Sequence, residues 1–337
     1  MITVLMPVKS WRTTTLAAID SIQQQTLGDF EFLIVGQEDT NSLEERLPSD
    51  PRIRCIARNQ PGIVGALNTG LSAARGQWLA RMDDDDLALP TRLDTQLHFL
   101  ESNRAVQLSG AVVRLIDQHG QRGLVGAGNK RYESWLNSLV TPESIYKACF
   151  IENPLPHPTL FAHRDTWQRL KGYRDGDWPE DLDLVLRAWQ MGLQMGKPDD
   201  TLLEWREHET RLTWQDTRYR REAFIQLKAN IASQAQSGFG LDKGRPVWLC
   251  GTGRNARYWF DALLANNVTV NGFVDLDRPG ARQHKRHRPV ITYSDLWQQR
   301  SDAFIVTAFS DPAARKALRA EFDQRGLAVY QDYLLGG

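Results

Sequence analysis

The stretch Trp78-Leu79-Ala80-Arg81-Met82-Asp83-Asp84-Asp85-Asp86-Leu87-Ala88-Leu89-Pro90 decides the fold of this chain. It begins with apolar residues that predict a strand, and the strand leads directly into four consecutive carboxylates. Burying four adjacent carboxylates without compensation would be very costly, because they repel one another. Two interpretations are open at this point. The run is either a solvated acidic turn, as most short charge runs are, or a site for a hard divalent cation.

The second interpretation rests on position and on ligand chemistry. Open α/β sheets bind ligands at the carboxyl ends of their strands, which is where the acidic run is predicted to lie. Carboxylate oxygens are suitable ligands for Mg2+ and Mn2+, and a metal held in this way can bind a substrate phosphate. These residues alone favour neither interpretation over the other.

Strand and helix patterns alternate along the chain on both sides of the acidic run. Short apolar segments predict strands at 3–8, 30–35, 52–57, 77–82, 106–116 and 202–208. Helical spacing predicts helices at 14–25, 43–47, 62–74, 91–100, 164–170, 178–189 and 214–236. The stretch 121–141, rich in Gly, Asn and charge, predicts a loop. This rhythm indicates an α/β fold with a largely parallel sheet covered by helices.

A polar segment with three glycines, 237–244, predicts a domain boundary. A second series of alternating strand and helix patterns begins after it. Strands are predicted at 247–250, 270–274, 303–308 and 328–330, and helices at 254–265 and 312–325. Gly251-Thr252-Gly253-Arg254-Asn255-Ala256 follows a strand and opens a helix, and Asp275 ends the next strand. This spacing suits a dinucleotide-binding turn, in which glycines let backbone amides approach a phosphate. Two interpretations stay open: a nucleotide loop at Gly251, Gly253 and Asp275, or a dimerisation module that would make the protein a homo-oligomer.

The charge composition is balanced, with 41 Lys and Arg against 41 Asp and Glu and a formal net charge of +0. No global field therefore favours nucleic acid as a partner. The three cysteines, Cys55, Cys149 and Cys250, lie far apart, which fits a reducing compartment and neither a disulfide framework nor a zinc site. Met1 leads directly into a strand pattern, and no apolar run approaches the ~20 residues of a membrane-spanning helix. We expect a cytoplasmic protein with at most peripheral contact at the inner face of the membrane.

Several short stretches follow one another in a characteristic order between residues 1 and 213. They are Leu5-Met6-Pro7-Val8, Ala66-Leu67-Asn68-Thr69-Gly70, Ala74-Arg75-Gly76, Ala80-Arg81-Met82-Asp83-Asp84-Asp85-Asp86, Leu89-Pro90, Arg92-Leu93, Asn153-Pro154, His157-Pro158-Thr159, Gly172-Tyr173, Glu180-Asp181-Leu182-Asp183-Leu184 with Arg187, and Trp205-Arg206-Glu207-His208. Together they resemble the inverting glycosyltransferases of family 2. The resemblance implies a GT-A fold, with the Rossmann-like mixed sheet of nucleotide-diphospho-sugar transferases, in 1–213. A helical linker at 214–243 and a small Rossmann-like α/β domain at 244–337 would follow.

The resemblance also implies roles for individual residues. Asp85 would coordinate Mn2+ or Mg2+ together with His208, and the alternative for His208 is a purely structural histidine. Asp181 would be the general base. The pocket for the donor nucleotide would be lined by Pro7, Val8, Glu38, Asn68 and Asp83. The diphosphate or the acceptor would lie near His157 and Glu180.

The chemistry of inversion agrees with these roles. A leaving nucleoside diphosphate carries developing negative charge, which a divalent cation neutralises. The acceptor hydroxyl must lose its proton to a carboxylate or imidazole within hydrogen-bond reach. Glu180-Asp181 at a helix start fits this need, and its alternative is ordinary acidic charge at a helix N-terminus. Asp86 would support the acidic turn, and Arg187 would pair with Asp183 at helical spacing.

Two departures from the family pattern concern recognition of the donor base. Lys9-Ser10 stands where an aromatic residue and an Asn are usual. Gly36-Gln37 stands where the second strand usually ends in two aspartates. Glu38 or Asp39, which follow directly, could supply the missing hydrogen bond.

We therefore expect a metal-dependent inverting glycosyltransferase. It would move a sugar from a nucleotide-sugar, in the first instance a UDP-sugar, to a saccharide or lipid-linked saccharide of a bacterial surface polymer. Two other classes of function stay open. One is a non-catalytic sugar-nucleotide-binding protein with a degenerate donor site. The other places a nucleotide- or dinucleotide-dependent activity in the C-terminal domain.

Overall fold

The computed structural model describes residues 1–37, 41–122, 126–209, 211–276, 283–299 and 303–337. The chain forms two compact units. The first comprises Met1–Tyr146, Asn153–Gly176 and Glu180–Gln215, and the second comprises Lys147–Glu152, Asp177–Pro179 and Asp216–Gly337. The domains predicted from the sequence, 1–213, 214–243 and 244–337, stay a prediction, because compactness alone does not define a domain.

The first unit alternates strands and helices as predicted. Its strands are β1 (Ile2–Pro7), β2 (Phe30–Gly36), β3 (Ile53–Ala57), β4 (Trp78–Arg81), β5 (Leu87–Ala88), β6 (Val106–Ser109), β7 (Val112–Ile116), β8 (Phe161–His163), β9 (Gln194–Gly196) and β10 (Thr201–Arg206). The helices from the start of the chain to the end of this unit are α1 (Thr13–Gln23), α2 (Asn41–Glu44), α3 (Gly62–Ala73), α4 (Arg92–Ser102), α5 (Ala127–Asn137), α6 (Pro142–Ala148), α7 (Arg164–Leu170), α8 (Glu180–Gln190) and α9 (Leu212–Gln215).

Two sheets organise these elements. The larger has the strand order β3-β2-β1-β4-β8-β6-β9, in which β8 runs antiparallel to both of its neighbours. The smaller has the order β5-β10-β7, with β10 antiparallel to β5 and parallel to β7. Because β1, β2 and β4 are parallel, their carboxyl ends meet at one edge of the larger sheet. The acidic run leaves β4 at this edge.

The core of the first unit forms between the larger sheet and its helices. Val4, Met6 and Phe32 are completely buried on the central strands, and Ile19 and Ile22 cover them from α1. Burying such side chains supplies most of the free energy of folding. The near-continuous apolar character of β1 and β2 is typical of strands that are covered on both faces.

Two predictions for the middle of the chain were wrong. The predicted strand 106–116 is two strands, β6 and β7, which belong to different sheets. The chain turns between them at Gly110, where an added Cβ would lie 2.9 Å from a Leu155 methyl group. The predicted loop 121–141 contains helix α5. Tyr132, Trp135 and Leu136 share the core-facing side of that helix at i, i+3 and i+4, a periodicity that the surrounding polar residues obscured.

The second unit has a six-stranded sheet of its own. Its strands are β11 (Val247–Cys250), β12 (Val270–Asp275), β13 (His284–Lys285), β14 (Arg288–Thr292), β15 (Phe304–Ala308) and β16 (Tyr333–Gly336). The order is β13-β14-β12-β11-β15-β16, and all pairs except β13 with β14 are parallel. Its helices are α10 (Arg221–Ser233), α11 (Arg254–Ala265), α12 (Tyr293–Gln299) and α13 (Pro312–Gln324).

Two predictions for the later part of the chain were also wrong. The helix predicted at 214–236 is interrupted, because the Asp216 carboxylate accepts a hydrogen bond from Arg218 N and starts a new turn before α10. The last strand is Tyr333–Gly336 rather than 328–330. Tyr330 has a left-handed φ of 68°, which no extended strand accommodates. Among the described residues, no helix combines the length and the apolar character that crossing a membrane requires.

A glycine beside β1 provides a test of packing in the first unit. A Cβ on Gly76 would lie 2.5 Å from Thr3 N and 2.7 Å from the Ile2 carbonyl carbon, so backbone would have to shift. We expect Gly76→Ala to lower the free energy of unfolding by about 1–3 kcal/mol in urea titrations. Gly28→Ala is the matched control, because nothing lies within 4 Å of its added Cβ, and it should change stability by less than about 0.5 kcal/mol. Equal stabilities for the two variants would contradict this packing.

Candidate active site

The acidic run forms a compact corner after β4. Oxygen atoms of Asp83, Asp85 and Asp86 lie within 4.8 Å of one another. Oxygen-rich clusters of this kind suit Mg2+ or Mn2+. The Asp86 Oδ2 atom is buried without a hydrogen-bond partner in the described structure, and such an atom needs a proton or a cation nearby. The residues present therefore fit a divalent cation.

The smaller sheet holds this corner in place. Arg206, at the end of β10, donates from its backbone N to Asp86 Oδ1 at 2.8 Å and from its Nε to the Asp85 carbonyl at 2.7 Å. Asp86 is completely buried. Burial, followed by the negative charges of Asp85 and Asp83, holds the pKa of Asp86 well above its ordinary range. These contacts fix Asp86 against the end of β10, and its role in supporting the acidic turn stays a prediction.

Asp85 lies close to two basic side chains. The Nε2 atom of His208 lies 2.8 Å from Asp85 Oδ2, and Arg12 Nη1 lies 3.7 Å from the same oxygen. Burial alone would raise the pKa of Asp85, but the hydrogen bond and charge of His208 and the charges of Arg211 and Arg12 hold it below its usual value. The structure thus brings together the two residues predicted as metal ligands. Ligation itself stays a prediction.

Asp83 pairs with Arg81, for which the sequence predicted no individual role. Arg81 Nη1 lies 2.5 Å from Asp83 Oδ2, and Arg81 is only 4% exposed. Burial raises the pKa of Asp83, and the charge of Arg81 offsets part of that rise. A second buried arginine, Arg92, donates to the Arg81 carbonyl at 2.5 Å. The signal that could have revealed Arg81 is a lone charge inside an otherwise apolar strand.

The predicted base lies at the start of α8. Asp181 Oδ2 accepts a hydrogen bond from Asn153 Nδ2 at 2.8 Å, and Asp181 Oδ1 accepts one from Leu182 N at 2.7 Å. The carboxylate is half-buried. Asn153 belongs to one of the quoted stretches, but its spacing to Asp181 in the sequence gives no sign of this contact. The role of Asp181 as a base stays a prediction.

His157 and Glu180 form a buried group beside Asp181. His157 Nε2 lies 2.9 Å from the Tyr173 hydroxyl, and His157 Nδ1 lies 3.8 Å from Glu180 Oε1. Burial, together with the charge of Arg81, holds the pKa of His157 well below its ordinary value. The ring is therefore neutral near pH 7 and orients its neighbours without supplying positive charge. Its predicted proximity to the diphosphate or acceptor stays a prediction.

The other predicted donor-site residues have mainly structural contacts. The Asn68 amide exchanges two 2.9 Å hydrogen bonds with the backbone of Tyr173, which follows the left-handed Gly172. Pro7 and Val8 are buried at the end of β1, where Val8 N donates to Val35 O. Donor contacts by these three residues stay predictions.

Two further predictions concern recognition of the nucleobase of the donor and an ion pair on helix α8. Glu38 lies outside the described residues, and Gln37, just before it, donates from Nε2 to the Lys9 carbonyl. The predicted pair on α8 is confirmed: Arg187 Nε lies 2.8 Å from Asp183 Oδ2.

The glycine turn of the second unit has the predicted strand–turn–helix geometry. Gly251, with φ 106°, follows β11, and Gly253 precedes α11. Thr252 Oγ1 donates to Asp275 Oδ2, and Lys285 Nζ donates to the carbonyls of Thr252 and Gly253. These contacts are made within the protein, and ligand binding by the turn stays a prediction.

Comparison with known proteins identifies the family. The sequence profile described as Glycosyl transferase family 2 matches residues 3–159. The O-antigen biosynthesis glycosyltransferase WbnJ of Escherichia coli is 30% identical over 194 residues, which are 56% of this chain and 71% of WbnJ. The chain belongs to glycosyl transferase family 2. Another relative of this glycosyltransferase is the amylovoran biosynthesis glycosyltransferase AmsE of Erwinia amylovora, 28% identical over 191 residues, 55% of this chain and 68% of AmsE.

A solved structure supports the same conclusion about the fold. S. aureus TarS 1–349 in complex with UDP-GlcNAc superposes with a TM-score of 0.53 and 12% identity, over 79% of this chain and 80% of TarS 1–349. At this identity the likeness concerns the fold alone. It confirms the predicted GT-A fold of the family 2 glycosyltransferase.

A buried lysine supports the segment that carries Asn153 in this glycosyltransferase. Lys197, just after β9, is 2% exposed, and its Nζ donates to the carbonyls of Leu136 at 2.6 Å and Pro154 at 3.1 Å. Burial lowers the pKa of Lys197 to about 7. Neither oxygen carries a full negative charge, so the ammonium form is destabilised in the folded protein.

This lysine makes stability depend on pH in a defined direction. The folded-state pKa of Lys197 lies below the unfolded one, so above about pH 7 the unfolded state binds more protons and stability rises with pH. We expect the stability of the wild type relative to Lys197→Met to rise between about pH 7 and 9, by at most about 1.4 kcal/mol per pH unit. Urea titrations at several pH values measure it. The exposed Lys130→Met is the control, and parallel wild-type and Lys197→Met curves would contradict the burial argument.

Proposed function

We propose that this glycosyltransferase moves a sugar with inversion from a UDP-sugar to a saccharide or lipid-linked saccharide, with Mn2+ or Mg2+ as cofactor. One observation carries the proposal. Asp83, Asp85 and Asp86 converge at the carboxyl end of β4, where His208, two residues after β10 of the other sheet, meets Asp85. Convergence of this kind from distant parts of the chain is typical of a ligand site rather than of a solvated turn.

The donor diphosphate would lie at this acidic corner. A bound divalent cation would neutralise the charge that develops on the leaving diphosphate. Asp85 and His208 would hold the cation, and Asp83 would approach the ribose. Arg206 keeps the turn rigid through its bonds to Asp85 and Asp86, so the ligands need little reorganisation when the donor binds.

Asp181 would remove the proton of the acceptor hydroxyl. A carboxylate can accept this proton while the oxygen attacks the anomeric carbon from the face opposite the leaving group. The Asn153 hydrogen bond holds one carboxylate oxygen. Glu180 and His157 lie beside it and would border the acceptor or the diphosphate.

The choice of donor and acceptor rests on family relationships. A uridine nucleotide is proposed because most members of the family use one, although Gly36-Gln37 replaces the aspartates that usually read the base. Two relatives are named for the biosynthesis of O-antigen and of amylovoran, which favours an acceptor that belongs to a bacterial surface polymer. Action in the cytoplasm at the inner face of the membrane stays a prediction.

Turnover of the donor tests the assigned roles. With a UDP-sugar, an acceptor and Mn2+, we expect Asp85→Ala and Asp181→Asn each to lower kcat/KM by about 100-fold or more, because each removes a metal ligand or the base. The exposed Asp20→Ala should keep wild-type rates. Near-wild-type turnover by either site variant would refute its role.

Ligand binding separates this enzyme from a non-catalytic binding protein with a degenerate donor site. We expect UDP with Mn2+ to raise the melting temperature, because ligands that bind only the folded state stabilise it. Asp85→Ala should lose the part of the increase that depends on Mn2+, while Asp181→Asn should keep all of it. An unchanged melting temperature in the wild type would argue against the donor. Binding without turnover would favour the non-catalytic alternative.

A further inference from the structure

The side chain of Asn153 connects the base to a rigid part of the first unit. Its Nδ2 donates to Asp181 Oδ2 at 2.8 Å, and its Oδ1 accepts from Leu155 N at 3.1 Å. Asn153 is 7% exposed, so water does not readily replace either bond. The contact spans 28 residues and joins the segment before the His157-Pro158-Thr159 turn to the start of α8.

The chemistry of the two partners settles the orientation of the amide. A backbone N–H can only donate, so the atom that faces Leu155 N is the Asn153 oxygen. The other atom is then the NH2 group, which faces the Asp181 carboxylate. An ionised carboxylate can only accept. The pair is therefore matched when Asp181 is charged, which is the form that a general base needs.

The segment that carries Asn153 is held from several directions. The next residue, Pro154, accepts through its carbonyl from the buried Lys197. Thr159 Oγ1, at the far end of the segment, donates to the Pro156 carbonyl at 2.7 Å and accepts from Ala111 N at 3.0 Å. A side chain can position another group through a hydrogen bond only if the side chain is itself held in place by its neighbours. Asn153 meets that condition.

We propose that Asn153 is a positioning residue for the reaction, which fixes the Asp181 carboxylate toward the acceptor hydroxyl and favours its ionised form. The inference rests on the proposed role of Asp181 as the base. The orientation of a general base affects the rate of catalysis, because a small displacement of a reacting group can lower kcat many-fold. Asn153 does not touch the donor or the reacting atoms in this proposal.

Several charged and titratable groups lie near Asp181 in the described part of the chain. Glu180 and Asp183 lie on the same helix, and Asp183 is paired with Arg187 and Arg174. His157 is neutral near pH 7, because burial, together with the charge of Arg81, lowers its pKa. Burial also raises the pKa of Tyr173, so this hydroxyl stays protonated. Losing the Asn153 amide donor should raise the pKa of Asp181, since a hydrogen bond to the charged form of a carboxyl group lowers its pKa.

The isosteric variant Asn153→Asp tests the proposal most sharply. It keeps an oxygen for Leu155 N, so the support of the segment is retained, but it replaces the NH2 donor by a second carboxylate oxygen. We expect kcat to fall by about 10- to 100-fold, while the donor KM changes by less than about 2-fold. The acidic limb of the kcat/KM profile should move up by about one pH unit. Asn153→Ala should show the same pattern with a smaller displacement of the limb, because it adds no negative charge.

A matched control distinguishes positioning from a structural role. The Asn137 amide accepts from Val113 N at 3.1 Å and donates to Val113 O at 2.7 Å. Asn137→Asp therefore makes the same chemical change at bonds to backbone, and it should cost stability without moving the acidic limb. All assays are run at least about ten degrees below the lowest melting temperature among the variants, so that unfolding does not contribute to a loss of kcat.

The outcomes separate this inference from the proposed function. If Asp181→Asn remains active, the base has been assigned wrongly and this inference loses its premise. If the wild type itself turns over no nucleotide-sugar, the proposed function fails. If Asp181→Asn is inactive but Asn153→Asp has a wild-type kcat and pH profile, only the positioning role is refuted. If Asn153→Asp and Asn137→Asp change kcat equally with an unmoved limb, Asn153 is structural and the inference is overturned.

Discussion

The repulsion among the carboxylates at the end of β4 is the constraint on which the rest of the site depends. Asp83, Asp85 and Asp86 lie too close together, and too deeply, to be ionised at once without positive charge nearby. Part of that charge comes from the protein. Arg81 faces Asp83, and Arg12 faces Asp85. A divalent cation would provide the remaining positive charge. The cluster of carboxylates that lowers the stability of the fold is therefore also the one suited to binding a metal ion.

The two sheets of the first unit make this arrangement possible. β4 in the larger sheet delivers the acidic run, and β10 in the smaller sheet delivers Arg206 and His208 to it. β5, only two residues long, follows the acidic run directly and pairs with β10. The chain thus leaves one sheet, turns through four carboxylates and enters the other, which fixes the turn at both ends. A turn anchored in this way can hold charged groups in a geometry that a free loop would not keep.

The acidic corner and Glu180, the neighbour of the proposed base Asp181, are linked by buried side chains. Arg81 pairs with Asp83 and lies beside Tyr173, whose hydroxyl meets His157, which in turn approaches Glu180. Each member is almost completely buried or held by a neighbour, so the two halves of the site share one rigid support. Burial in this network, and after it the positive charge of Arg81, lowers the pKa of His157 and keeps the ring neutral.

Much of the fold was determined by the sequence alone. The apolar strands β1 to β4, the helices α1, α3 and α4, and the restart after residue 244 follow from periodicity, because each element buries one face or both. The acidic run and the family motifs also marked the residues of the candidate site. The pairing of Arg187 with Asp183 was predictable for the same reason, since helical spacing is local.

What only the tertiary structure decided are the contacts between residues far apart in the chain. His208 meets Asp85 across 123 residues and Asn153 meets Asp181 across 28, and no local pattern encodes such distances. The division of 106–116 between two sheets and the helix hidden in 121–141 belong to the same class. Local periodicity reports which face of a segment is buried, whereas the partner that buries it is chosen by the packing of the whole chain.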